Sequence, residues 1–240
     1  MNRPQTTPRG AWRALATGTL VAVATASAGC VSQGAKSTAA VSTSATSATS
    51  GTTETIETIV LLRHGEKPDA GLGQLSCQGL RRSLALPRVL FEHFGAPTAI
   101  FAPDPAALKD DRGTEFSYVR PLATIEPTAI QAGLPVNTQF GYKDTTGLEA
   151  ALSVPALRGA TVFVAWEHHY AENLARDLLA ALGNQPGAEL VPAWKDADFD
   201  SLYVVSVVST DNDGKHRRAS FRAERQGLDG LATGCPTGRF

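Results

Sequence analysis

The chain has 240 residues, of which 42% are hydrophobic and 19% charged, and its formal net charge is −1. This length suits one ordinary α/β domain, and the apolar fraction is sufficient for a core, so a wholly disordered chain is excluded. The near-zero charge argues against a nucleic-acid binder, and no apolar run reaches the roughly 20 residues of a membrane-spanning helix. Three cysteines, Cys30, Cys77 and Cys235, are too few for a disulfide scaffold or a four-cysteine zinc module.

The first 30 residues have the pattern of an export signal. Three arginines and no acid precede an apolar or small stretch over residues 14–29, and Cys30 follows. Two cleavage sites compete: Ala26-Ser27-Ala28 fits a signal peptidase, whereas Ala28-Gly29-Cys30 resembles the lipoprotein box, in which the cysteine is lipidated. We expect the lipoprotein form, anchored to the membrane through Cys30 and facing the periplasm or the cell exterior. The alternative is a plain secreted protein.

Residues 31–55 are predicted to be a flexible linker, because 20 of these 25 residues are Ser, Thr, Ala or Gly. The remaining residues, 56–240, are expected to form one catalytic domain. An exported chain meets an oxidising compartment, so a Cys77–Cys235 disulfide could tie the C-terminal tail to the first helix. Two free thiols remain the alternative, since a sequence does not supply the geometry that a disulfide needs.

Apolar runs alternate with helical patterns over residues 56–240. The predicted strands are Ile56–Leu62, Ala99–Ala102, Leu134–Thr138, Thr161–Trp166, Leu202–Val208 and, after a turn at residues 211–214, an edge strand Ala219–Arg225. Strands that alternate with helices predict a three-layer α/β sandwich, with a mostly parallel central sheet flanked by helices.

Three helices are predicted between these strands. Ser76 is the expected N-cap of the first, the Arg120-Pro121 pair opens the second, and Gly133 ends it. The third follows Trp166 and ends at Gly183, with an inward face of Ala171, Leu174, Ala175, Leu178, Leu179 and Leu182. The segment Pro103–Tyr118 is predicted to be a long irregular loop.

Two strands are followed directly by histidines. His64 follows the first strand, and His168 follows the strand that ends at Trp166. Because ligand sites of open α/β sheets lie at the carboxyl ends of the strands, both histidines are expected at one rim. Arg63 and Arg120, the latter at a helix N-terminus, could hold phosphoryl oxygens, and their charge would keep a neighbouring imidazole neutral and nucleophilic.

These motifs, in this order, resemble the histidine phosphatase superfamily. The resemblance rests on Leu62-Arg63-His64-Gly65-Glu66, Leu75-Ser76-x-x-Gly79, Arg120-x-x-x-Thr124 and the strand ending in His168. It is closest to the branch that holds phosphoglycerate mutases, broad phosphatases and phosphohistidine phosphatases. Lys67-Pro68 after the glycine and His169 after the second histidine depart from the acid phosphatase and phytase branch, which is excluded.

The resemblance implies a phosphoglycerate mutase-like fold, phosphorylation of His64 during turnover, and a phosphate pocket completed by Arg63, Arg120 and His168. It implies no cofactor and no metal. Further pocket-lining candidates are Lys67, Thr124 and His169.

The general acid is left open by the sequence. The family usually supplies it from the segment after the second arginine helix, where Asp144 is the favoured candidate. Glu66 and Glu167 are closer to the histidines in sequence, and the absence of any such carboxyl is the fourth possibility.

The expected function is that of an exported, metal-independent phosphomonoesterase acting on a small phosphate ester or a phosphoprotein. One alternative is a catalytically inert, lipid-anchored protein that binds a phosphorylated ligand in the same pocket. Another is a metallohydrolase with His64, His168, His169 and carboxylates as ligands. Adjacent histidines chelate one ion poorly and two arginines would repel it, so this last alternative is disfavoured.

Overall fold

The computed structural model describes residues 54–182, 185–210 and 216–236, all of which belong to one compact unit. The predicted signal with Cys30, the linker up to residue 53, Gly183 and the turn at 211–214 lie outside the described residues. Thr55, placed in the linker by its composition, is already the first residue of a strand. Within the described ranges, no helix is both long and apolar enough to cross a membrane.

A six-stranded sheet forms the centre of the fold. The described residues form eight strands, which in chain order are β1 (Thr55–Arg63), β2 (Ala99–Phe101), β3 (Leu108–Asp111), β4 (Thr114–Ser117), β5 (Val136–Asn137), β6 (Thr161–Trp166), β7 (Ser201–Ser209) and β8 (Arg217–Arg225). The order in the central sheet is β5-β2-β6-β1-β7-β8. The pairs from β5 to β1 are parallel, and β7 and β8 add antiparallel strands at one edge. The predicted mostly parallel sheet is therefore confirmed, as is the edge strand.

Helices cover both faces of this sheet. In chain order they are α1 (Cys77–Phe94), α2 (Arg120–Ala132), α3 (Thr145–Leu152), α4 (His168–Ala181) and the short α5 (Gln185–Glu189). Alternate residues of β1 point to opposite faces, as the period of a strand requires. Val60 and Leu62 pack with the apolar residues of α1 and α2, whereas Ile59 and Leu61 pack with those of α3 and α4. The result is the expected three-layer sandwich.

Local end signals placed the start of α1 and both ends of α2 correctly, whereas α3 and α5 were not predicted. The Ser76 hydroxyl accepts a hydrogen bond from the Gly79 N–H and so caps α1. Gly133 ends α2 in the left-handed conformation. On α1, Leu80 and Leu84 are 40% and 55% exposed, whereas the polar Arg82 is fully buried.

The prediction of an irregular loop over residues 103–118 was wrong. β3 and β4 form an antiparallel hairpin in this segment. Its turn consists of Arg112 and Gly113, both at positive φ (58° and 84°), which is the geometry that two-residue hairpins favour. Both strands are short and polar, so they lack the apolar alternation by which a strand is recognised.

The C-terminal tail is attached to α1. Of the two alternatives left open for the cysteines, the structure has the Cys77–Cys235 disulfide, with the Cα atoms 4.4 Å apart. The Arg81 side chain also donates to the backbone oxygens of Gly234 and Cys235. The disulfide closes over 158 residues of sequence and fixes the tail beside the start of α1.

A buried carboxyl in β1 makes stability depend on pH. Glu57 is 1% exposed, and burial raises its pKa to about 7 although Arg217 and Arg158 oppose this shift. A group whose pKa is raised on folding contributes stability below its unfolded pKa and loses it as the pH rises through the folded pKa. We therefore expect Glu57→Gln, which cannot ionise, to gain about 3 kcal/mol in unfolding free energy relative to wild type between about pH 4 and about pH 9.

Urea unfolding of both proteins across this pH range measures the gain. The matched control is Glu92→Gln, which removes an exposed carboxylate of α1 that pairs with Arg88. Parallel stability curves for wild type and Glu57→Gln would show that folding does not raise the pKa of Glu57.

Candidate functional site

Parallel pairing of β1 with β6 brings the two histidines to one edge of the sheet. Arg63 is in register with Trp166, so the residues that follow leave the sheet side by side. The His64 N–H donates to the Trp166 carbonyl oxygen at 3.1 Å, and His168 begins α4. Both side chains belong to buried residues, 2% and 6% exposed. The predicted common rim is thus observed.

The His64 ring is held in one tautomer. Its Nδ1 lies 2.8 Å from the Gly65 carbonyl oxygen, which can only accept, so Nδ1 carries the proton and Nε2 has a free lone pair. Burial, together with the charges of Arg120 and Arg63, lowers the pKa of His64 well below its usual range. The ring therefore stays neutral, with Nε2 available as a nucleophile.

The loop that carries His64 is fixed by close backbone packing. A Cβ on Gly65 would lie 3.0 Å from the Gly79 Cα, and one on Gly79 would lie 2.3 Å from the Glu66 carbonyl oxygen. Both glycines of the sequence motifs therefore allow α1 to approach this loop. Thr124, predicted to line the pocket, uses its hydroxyl to accept from the Gly65 N–H at 2.9 Å and to donate to the Arg120 carbonyl at 2.7 Å.

Arg63 is buried against the loop that precedes β7. Its Nη1 donates to the carbonyl oxygens of Asp196 and Asp198, and its guanidinium carbon lies 3.9 Å from the centre of the Phe199 ring. Burial lowers the pKa of Arg63, although nearby carboxylates such as Glu167 oppose the shift. Because it stacks on Arg63, Phe199 also lies at the site.

Arg120 is fully buried and held by a carboxylate that the sequence analysis missed. Its two terminal nitrogens bind both oxygens of Asp111, at 2.7 and 3.1 Å. The Arg120 N–H donates to the Gly73 carbonyl, so this amide at the start of α2 is paired. Burial raises the pKa of Asp111, but the bonds from Arg120 and Gly73 outweigh it and bring the pKa to about 2.

The hairpin delivers a lysine together with Asp111. Lys109 and Asp111 are alternate residues of β3 and so share one face. The Lys109 ammonium lies 4.7 Å from the centre of the Tyr142 ring, and burial lowers its pKa. The sequence signal for these two charged residues was the run Lys109–Arg112, which was interpreted as part of a loop.

His168 lies between two carboxylates. Its Nε2 is 2.8 Å from Asp196 Oδ1, and its Nδ1 is 3.0 Å from Glu167 Oε1, without hydrogen-bond alignment. Glu167 also caps α4 by accepting from the His169 and Tyr170 N–H groups. Burial raises the pKa of Glu167, but contact with His168 and the charges of His168 and Lys109 bring it to about 2.

Each general-acid candidate from the sequence has a structural partner. Asp144 caps α3 by accepting from the Gly147 N–H at 2.9 Å, and both oxygens of Glu66 accept from Arg82. Glu167 caps α4 and has too low a pKa to donate a proton near neutrality. Each of the three carboxyls thus has a structural role, and the assignment of the general acid to Asp144 stays a prediction.

The remaining candidates lie at the rim or elsewhere. Lys67 has a 41% exposed side chain and pairs with Asp111 at 3.3 Å. The His169 side chain is 61% exposed, with Nε2 3.4 Å from Asp196 Oδ1. His93, at the end of α1, lies 3.3 Å from Glu224 on the surface, as expected for a histidine without a catalytic role.

Comparisons with known proteins give structural likeness alone. No family model and no curated protein matches the sequence. Among solved structures, a provisional phosphohistidine phosphatase SixA from Nakamurella multipartitia is 16% identical, with a TM-score of 0.47, over 70% of this chain and 95% of that one. Another provisional phosphohistidine phosphatase SixA, from Agrobacterium tumefaciens, is 13% identical, with a TM-score of 0.44. This match covers 70% of the present chain and 99% of the other. A mycobacterial glucosyl-3-phosphoglycerate phosphatase in complex with inorganic phosphate is 20% identical, with a TM-score of 0.41, over 70% and 95%.

Proposed function

We propose that this protein is a phosphomonoesterase of the histidine phosphatase superfamily that works through a phosphohistidine on His64. The observation that carries the proposal is the state of the His64 ring, which is buried, neutral and protonated on Nδ1, with the charges of Arg63 and Arg120 nearby. The substrate is a small phosphate ester or a phosphoprotein. Export and a lipid anchor at Cys30 belong to the same proposal and are supported by the sequence of residues 1–30.

The reaction has two displacement steps. The Nε2 lone pair of His64 attacks phosphorus, and the bond from phosphorus to the ester oxygen breaks. The electron pair stays on this oxygen, which leaves as a phenolate or takes a proton from solvent and leaves as an alcohol. Water then attacks phosphorus, the P–N bond breaks, and inorganic phosphate leaves as the lone pair returns to Nε2. Arg63, Arg120 and His168 stabilise the phosphoryl oxygens in both steps, since such transfers depend mainly on positioning and charge.

The leaving group is expected to control the rate. Contacts with His168 lower the pKa of Glu167 and Asp196, and Arg120 lowers that of Asp111, so these described carboxyls beside the site are ionised near neutral pH. A general acid usually contributes about 10²–10⁴-fold. We expect kcat/KM for 4-nitrophenyl phosphate, whose leaving group needs no proton, to exceed that for glycerol phosphate by at least about a hundredfold.

Steady-state kinetics with the two substrates at neutral pH measure this ratio. Equal kcat/KM values would mean that a proton donor reaches the leaving oxygen after all. The Asp144→Asn variant then shows whether the donor is the residue that the sequence favoured.

The test of the proposed function is capture of the covalent intermediate. The full-length protein is mixed with 4-nitrophenyl phosphate in the presence of EDTA, quenched in alkali, and examined by intact mass. We expect one added phosphoryl group that survives alkali and is lost in acid, as for a phosphoramidate, and none in a His64→Asn variant. Tight phosphate binding by folded wild type without turnover would favour the inert binding protein, and loss of activity in EDTA would favour a metallohydrolase.

A further inference from the structure

We propose that His168, His169 and Asp196, here called the rim cluster, form a Zn²⁺-binding site at the mouth of the phosphate pocket. One ligand atom from each of the three residues lies within 4.8 Å of the others. Nε2 of each histidine faces the same carboxylate oxygen, Asp196 Oδ1, at 2.8 and 3.4 Å. Two imidazoles that converge on one carboxylate form the kind of donor set that zinc takes in proteins.

The spacing of these atoms suits a tetrahedral ion. When zinc is bound tetrahedrally at its usual distances, the ligand atoms lie about 3.3 Å from one another. In the rim cluster the ligand atoms already lie within 4.8 Å of one another. The two histidines are neighbours in the first turn of α4, and their ring centres are 4.0 Å apart with planes inclined by 36°. Asp196 comes from a separate loop 28 residues further on, so the chelate does not depend on adjacent histidines alone. This arrangement removes the first objection that the sequence raised against a metal.

A supporting carboxylate is already in place. Zinc-bound histidines usually direct their other ring nitrogen to a carboxylate or carbonyl, which fixes the ring. The Nδ1 atom of His168 is buried, has no hydrogen bond, and lies 3.0 Å from Glu167 Oε1. A small rotation of the ring, driven by a metal at Nε2, would let Nδ1–H donate to this carboxylate.

The charges near the cluster permit a cation. The sequence suggested that two arginines would repel a metal, but the positive charge of Arg120 is balanced by the carboxylate of Asp111, to which it makes two bonds. Arg63 remains, with Nη1 bound to the Asp196 carbonyl, and it is outweighed by the carboxylates of Asp196 and Glu167. The second objection therefore does not hold in the folded protein.

The rim cluster is open to solvent on its outer side. The side chains of Asp196 and His169 are 85% and 61% exposed, whereas the side chain of His168 is buried, with 8% exposed. Zinc can thus reach the cluster directly from solvent. A bound ion would occupy Nε2 of His168, which the proposed function needs as a donor to the phosphoryl group, so zinc is expected to inhibit hydrolysis. This consequence, unlike the binding itself, rests on the proposed function.

Calorimetric titration of the full-length, metal-free protein with zinc chloride tests the site. We expect binding that Asp196→Asn and His169→Gln each weaken at least about tenfold. His93→Gln, which removes an exposed histidine paired with Glu224, is the matched control and should bind as wild type does. Magnesium should give no binding, since it prefers oxygen ligands. Equal zinc affinity in all four proteins, or no zinc binding by wild type, would overturn the proposal.

A second measurement tests whether zinc bound at the rim cluster inhibits hydrolysis. Hydrolysis of 4-nitrophenyl phosphate is compared with and without zinc in each variant, and EDTA is then added. We expect half-inhibition of wild type near the calorimetric Kd, recovery in EDTA, and a shift to at least about tenfold more zinc in His169→Gln. Zinc binding without inhibition would refute the regulatory consequence, whereas absence of hydrolysis in every sample would refute the proposed function and leave the calorimetry to decide on the site.

Discussion

Replacement of His64 by asparagine is expected to lower kcat/KM for an aryl phosphate by about 10⁴-fold or more, since the nucleophile that forms the covalent intermediate is lost. The asparagine amide can still donate to the Gly65 carbonyl as Nδ1 does now. It therefore keeps the local hydrogen bond while it removes Nε2. Steady-state kinetics on the full-length protein measure the loss, and thermal unfolding shows that the variant is folded.

His93→Asn is the matched control, because His93 lies on the surface at the end of α1. We expect its kinetics to remain within about twofold of wild type, as for a surface substitution away from the site. Activity of His64→Asn within tenfold of wild type, in a folded protein, would refute the covalent mechanism.

Replacement of Arg82 by leucine is expected to lower the free energy of unfolding by about 3–5 kcal/mol. Arg82 is fully buried in α1 and donates to Glu66, Asp200 and Gln226. Asp200 is 2% exposed, so its buried carboxylate loses one of its partners when the guanidinium of Arg82 is removed. The same arginine connects the loop that follows His64 with the start of β7, and activity should fall together with stability.

Urea unfolding measures this loss, with Arg88→Leu as the control. Arg88 lies on the same helix, its side chain is 71% exposed, and its removal should change stability by less than about 0.5 kcal/mol. Without Arg82, the buried carboxylate of Asp200 keeps Arg225 as its only described cationic partner. The double variant Arg82→Leu, Asp200→Asn removes this buried charge as well and should recover part of the loss. A double variant no more stable than Arg82→Leu would show that lost packing, and not the buried charge, causes the destabilisation.

The sequence by itself determined the elements that local physics controls. The apolar run Thr161–Trp166 has the same bounds as β6, because a strand buried on both faces must be apolar throughout. Ser76 and Gly133 marked helix ends, since capping depends on residues only a few positions apart. The convergence of His64 and His168 also followed, because parallel neighbouring strands end at one edge of the sheet.

Only the tertiary structure decided which charged groups meet around these histidines. Asp111 reaches Arg120 through a polar hairpin that has no apolar period, and Asp196 reaches His168 across 28 residues of sequence. Arg82, a charged residue of α1, lies at the centre of a buried ion network. Charge pairs form wherever folding brings opposite charges together, and no local pattern encodes their partners. The sequence therefore determined the sheet and the position of the two histidines, while the folded chain determined the carboxylates that surround them.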